Sequence, residues 1–224
     1  MNFDTTIRKI SDDFSLPNLP KIWLSDNVKL PKKLVAYIRR NSGKFKDINF
    51  AKGIEEFKER TAGQVAGKVA EEIYVSLYSE DVNTVYKQVK KLDFTTLEDG
   101  AVFYSGERAK KIAWLYALKT GSKAIEQTKG GMVFETWDWF NNASHKVKSW
   151  GKPDLGNDQS IVWAALSKAY AGKAKGSATV FQEKVGEIFK KCEKPMLDKK
   201  GIEYKIYDVK EVTNIKQFIA EIIN

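Results

Sequence analysis

Few side chains in this sequence have both the chemistry and the setting to break a bond. Glu126 stands at the predicted end of a short strand, before Gln127-Thr128-Lys129-Gly130-Gly131. The glycine pair permits tight backbone geometry beside a ligand. A solvated carboxylate before a turn is the competing reading. Glu193 lies in Ile188-Phe189-Lys190-Lys191-Cys192-Glu193-Lys194-Pro195. Its lysine neighbours would hold it ionised at neutral pH, yet on its own the segment reads as a solvated charge cluster on a loop. Cys192 has no base fixed near it and reads as a buried or incidental thiol. The single histidine, His145, excludes a multi-histidine metal site and a serine–histidine pair with a spare base. No metal site is expected.

Aromatic side chains are the second resource. Trp114, Trp137, Trp139, Trp150 and Trp163 fall close together in the middle of the chain. Such planes can sandwich a flat heterocycle, and a cationic ring gains further from the π-face. Trp114 reads as core. Trp163 sits in the first turn of a predicted helix near the expected crevice, but Trp163, Leu166 and Tyr170 also form a helical stripe, so packing competes with binding.

The elements that must position these groups follow from periodicity. Three of the five prolines, Pro17, Pro20 and Pro31, lie in an irregular arm over the first forty residues. From Ile54 to Leu92 apolar residues recur at three- and four-residue steps, and Asp81 to Leu92 reads as a separate helix with Val82, Val85, Tyr86 and Val89 on one face. After Gly100 the texture alternates. Strands are predicted at 101–104, 122–126, 177–181 and 202–209. Helices are predicted at 107–119, 133–143, 160–175 (capped by Asp158) and 214–223. The expected fold is α/β: a short, mainly parallel four-stranded sheet with flanking helices, preceded by an α-helical N-terminal region, with domains at 1–98 and 99–224. In such a sheet the crevice lies off the carboxyl ends of the strands, where Tyr104, Ser105 and Glu126 should converge.

The 224 residues are 42% hydrophobic, enough for a real core, and no apolar run is long enough to cross a bilayer. The first residues hold no apolar stretch of the signal-peptide kind, so a cleaved secretory signal is not expected. The formal charge is +9, concentrated in the second half, which suits an anionic ligand, nucleic acid or an acidic partner, although a lysine-rich solvated surface explains it as well. Lysine far outnumbers arginine, which argues against sequence-specific reading of DNA.

Taken in order, Val102-Phe103-Tyr104-Ser105-Gly106, Ala124-Ile125-Glu126-Gln127-Thr128-Lys129-Gly130-Gly131, Ser160 to Ala171 around Trp163, and Glu187 to Pro195 resemble four segments of the ADP-ribosyl cyclase/NAD glycohydrolase family. In that family these are an aromatic–serine step after the first strand, a strand-end Thr-Leu-Glu-Asp-Thr, a tryptophan-bearing helix, and a late Ser-x-Phe-x-x-x-Glu. The resemblance covers roughly residues 100–210 and makes 99–224 the catalytic domain. It implies cleavage of the nicotinamide–ribose bond of NAD, with NAD as substrate and no cofactor. It places the catalytic glutamate on Glu193, the nicotinamide-side glutamate on Glu126, and the two stacking rings on Trp163 and Tyr104. It also puts Phe189 in the site, and the phosphate-side contacts on Ser105, with Arg108 as a pyrophosphate partner. Two departures stand out: tyrosine replaces tryptophan at Tyr104, and a family threonine becomes Ile188.

Extracellular family members are rich in disulfides, whereas a single cysteine allows no internal one, which points to work in a reducing cytosol. The expectation is an NAD-depleting effector of the bacterial competition type, delivered into a target cytoplasm and neutralised by a cognate immunity protein. Neither nucleic-acid binding nor stable membrane insertion is expected. Two alternatives are a basic ribonuclease toxin, which lacks an obvious acid–base pair, and a non-enzymatic binding module.

Overall fold

The computed structural model describes residues 50–79, 81–137 and 161–223. The predicted proline-rich arm, the cap at Asp158, His145, Trp139 and Trp150 lie outside these residues. Three helices come first: α1 (Phe50–Arg60), α2 (Gly67–Ser76) and α3 (Val82–Val89). The long helical stretch expected from Ile54 is thus broken at Thr61–Ala66, where Gly63 takes a positive φ of 79°. Asp81 caps α3, its carboxylate accepting from Asn83 N (3.3 Å) and Thr84 N (2.9 Å).

The alternating part follows as β1 (Ala101–Ser105), α4 (Glu107–Thr120), β2 (Lys123–Ala124), α5 (Lys129–Glu135), α6 (Ile161–Ala171), β3 (Ser177–Gln182), α7 (Lys194–Lys200), β4 (Glu203–Asp208) and α8 (Ile215–Ile223). The four strands pair all in parallel in the order β2-β1-β3-β4, the α/β architecture expected. The chain leaves β1 towards β2 on one side and later returns to pair β3 on the other. That reversal opens a crevice at the carboxyl end of β1. Helix α6 stops at Ala171, earlier than predicted, and Gly176 (φ 66°) instead turns the chain into β3. The helix predicted at 133–143 begins earlier, at Lys129, and its residues beyond 137 lie outside the described set.

One apolar cluster runs without a break from Ile54, Phe57 and Tyr74 in the leading helices through Phe103, Phe134 and Trp137 to Ala164 and Val180. The rings of Phe57 and Trp137 lie 5.3 Å apart, and Trp137 Nε1 donates to Glu56 Oε2 (3.2 Å). Described helices on the N-terminal side therefore pack directly on the layer that carries the crevice. A second, smaller cluster joins α4, Phe181 and α8 on the other face.

Candidate active site

Glu126 owes its place to a turn that three neighbours close. After only two residues of β2 the chain enters a 3₁₀ turn, Ile125–Gln127, so Glu126 belongs to that turn and not to a strand end as expected. Gln127 folds back, its Oε1 accepting from Ala124 N (2.7 Å). Thr128 Oγ1 donates to the Ile125 carbonyl (2.6 Å) and accepts from Gly131 N (3.0 Å), capping α5. The glycine pair serves the chain itself and not a ligand. A Cβ at Gly131 would stand 1.9 Å from the Ile125 carbonyl oxygen, and one at Gly130 would stand 3.0 Å from the Phe94 ring.

Glu193 is held by a different device. Residues 187–200 are continuously helical, with a π-turn at Phe189–Glu193 leading into α7. The wide turn directly precedes Pro195, whose ring would clash with the Lys191 carbonyl in a regular α-helix. The expected loop is therefore a helix. Lys190, Lys191 and Lys194 are exposed, while Glu193 turns inward and is only 6% exposed. The lysines do not set its ionisation as expected. Burial pushes the Glu193 carboxyl up to about 8; Ser167, hydrogen-bonded to it, acts the other way, and the nearby Glu126 adds to the rise.

Both acids line one cavity of about 380 Å³. Its walls include Tyr104, Ser105 and Gly106 from the end of β1, Trp163, Ser167 and Tyr170 from one face of α6, and Ile188 and Phe189 from the π-turn. Of the predicted site residues, Glu126, Glu193, Tyr104, Ser105, Trp163 and Phe189 are brought together here. Arg108 is not. Its guanidinium donates to the Lys210 carbonyl and its backbone N–H to Glu183 Oε2 (3.2 Å), away from the lining. Glu183 itself packs against Gly106, which has a φ of 108°.

Besides lining the cavity, Tyr104 makes a contact that was not expected: its hydroxyl donates to Oε1 of Glu126. The other oxygen, Oε2, is buried without a hydrogen-bond partner. Burial also raises the Glu126 carboxyl, against the Tyr104 hydrogen bond that lowers it. Burial, with Glu126 alongside, raises the Tyr104 phenol far above its usual range, so it remains a donor. Cys192 is buried and its thiol is pushed up to about 11 by that burial, a poor nucleophile.

Sequence reasoning missed Glu135, Lys110 and Ser167. Glu135 and Lys110 both line the cavity and pair at 3.1 Å, with Lys110 Nζ 5.4 Å from the Trp114 ring centroid. Ser167 was legible as the residue one helical turn beyond Trp163. Glu135 and Lys110 carried no signal, since each sits on an ordinary mixed-charge helix. Among the described residues no group of three or more His, Cys, Asp or Glu is placed to hold a metal ion, and no helix is long and apolar enough to cross a membrane.

The sequence matches no known protein family, and no curated protein matches it. In structure, the chain is similar to CD38, solved in work on its catalytic mechanism and a conformationally flexible covalent enzyme–substrate complex. The TM-score is 0.47 at 16% identity, over 76% of this chain and 93% of that one.

Proposed function

We propose that this chain hydrolyses NAD at the nicotinamide–ribose bond, releasing nicotinamide and ADP-ribose. One observation carries the reading: two buried carboxyls from separate parts of the chain, Glu126 and Glu193, line a single cavity together with Trp163. Nicotinamide leaves as a neutral molecule, so no general acid is needed at the departing nitrogen. The barrier is the positive charge that grows on the ribosyl carbon, as in glycoside hydrolysis. A carboxylate fixed beside that carbon stabilises the charge without reorganising, and low polarity around it strengthens the effect. Glu193 takes this role, oriented by Ser167. Glu126 meets the carboxamide, and Trp163 the ring.

The empty site holds Glu193 against ionisation, and this matches the substrate. The nicotinamide ring of NAD carries a full positive charge, which favours the carboxylate as it enters. Water then attacks the ribosyl carbon on the face that nicotinamide vacated, and the proton lost by that water passes to Glu193. A cavity with two buried acids that can ionise as a cationic ring enters, beside the Lys110–Glu135 ion pair, suits this end of NAD. The diphosphate remains towards Ser105 and Gly106.

The biological part of the reading is an effector that depletes NAD in the cytoplasm of a target cell, with an acidic immunity protein as its inhibitor. The +9 charge suits such a partner. Incubating the purified chain with NAD and measuring nicotinamide release tests the chemistry. Glu193→Gln is expected to stay folded and lose on the order of 100- to 1000-fold in rate. Intact NAD after prolonged exposure to the wild-type chain would remove the assignment. Production of the chain inside bacteria should lower cellular NAD, and the same substitution should abolish the drop.

A further inference from the structure

Helix α6 reaches into the sheet through the hydroxyl of Tyr170. That residue is buried, and its ring packs on Phe103 with centroids 4.9 Å apart. The hydroxyl accepts from Val102 N (2.8 Å) on β1 and donates to the Lys123 carbonyl (2.5 Å) on β2, with the Val102 carbonyl further off at 3.2 Å. A hydroxyl has one proton to give, so the nearer carbonyl takes it. The contact falls at the end of the β1–β2 ladder, where Val102 lies opposite Ala124 and β2 stops. The 3₁₀ turn that bears Glu126 begins at the next residue. About one and two turns back along the same face of α6 stand Ser167, hydrogen-bonded to Glu193, and Trp163.

We propose that Tyr170 is a positioning residue: its hydroxyl sets the turn that carries Glu126 against the helix that carries Trp163 and Ser167, and so fixes how the two acids stand to one another. The inference rests on the NAD reading above and deepens it. A strand of two residues offers little ladder of its own to hold that turn. Keyed to both strands, the hydroxyl ties the turn to a helix whose apolar side chains are buried in the core. Phenylalanine would fill the same space, so the position needs the oxygen and not only the ring. Without it, the Val102 N–H and the Lys123 carbonyl lose a partner and the end of β2 is released.

Tyr170→Phe keeps the ring and removes the oxygen. Its kcat/KM for NAD should fall about tenfold, the scale of one hydrogen bond. In a Glu126→Gln background the same substitution should change kcat/KM by less than about twofold, because the turn it positions no longer carries the acid. General loosening of the fold would instead cost the same factor in both backgrounds. Amide exchange gives a readout that needs no substrate. The Val102 amide, and that of Thr128, which closes the turn onto the Ile125 carbonyl, should speed up about tenfold relative to the amides of α6. Wild-type kcat/KM in the variant, equal losses in the two backgrounds, or exchange at Val102 and Thr128 that merely follows α6 would each overturn the positioning role and leave NAD hydrolysis intact. Conversely, faster exchange confined to the strand end and the turn, in a chain that never cleaves NAD, would sink the hydrolase assignment and leave the positioning role standing.

Discussion

At the residue scale the site is defined by acids kept away from water. Glu193 is raised from 4.5 to about 8, chiefly by burial. If NAD is cleaved as proposed, the carboxylate form does the chemistry, so kcat/KM should climb with pH and level off above about 8. The bound pyridinium ring favours ionisation, so the acid limb of kcat should lie at lower pH than that of kcat/KM. Parallel limbs would show that the ring does not sit beside this group. Stability carries the opposite sign. Between 4.5 and about 8 the folded chain holds a proton that the unfolded chain has released, so stability falls as pH rises through that window. Glu193→Gln removes the effect. It should melt well above wild type at pH 8, by on the order of a few kcal/mol, and together with wild type near pH 4.5. Equal melting temperatures at pH 8 would mean that Glu193 is not buried as described.

At the element scale two irregular turns deliver the acids. The sheet and most helices were legible because their apolar periods differ and their ends carry glycine or capping residues, as at Gly121 and Asp81. The two turns were not. A π-turn has no sequence period of its own, and the lysines around Glu193 read as solvent-facing because they are; only the widened turn brings the one acid among them inward. The apolar Ala124-Ile125 reads as strand, although β2 ends after two residues and Glu126 sits in a 3₁₀ turn. Arg108, which the resemblance offered as a pyrophosphate partner, lies outside the lining because its side chain reaches the Lys210 carbonyl. The glycine pair gives a direct test. Gly131→Ala places a methyl against the Ile125 carbonyl and should destabilise the chain by roughly 2–3 kcal/mol. Activity should fall further than unfolding explains, because the turn bearing Glu126 must shift. A variant as stable and active as wild type would contradict this account of the turn.

At the scale of the whole molecule, helices and sheet share one interior. Ile54, Phe57, Ile73 and Tyr74 belong to the same cluster as Phe103, Phe134 and Trp137. A chain beginning at residue 99 would bare that face, and is expected to bind hydrophobic dyes and aggregate where the longer chain stays in solution. A soluble, cooperatively melting fragment would show the two parts to be independent.

The connection that carries β3 to the far side of β1 also has a bearing on timing. Both acids line a cavity at the end of β1, and the β1–β3 pairing beside it joins segments separated by most of the α/β sequence. Local helices form in microseconds, whereas such distant parallel pairing is among the slow steps of folding. On refolding, helical signal should therefore return ahead of any turnover, so the pocket is complete only after the helices that wall it have formed.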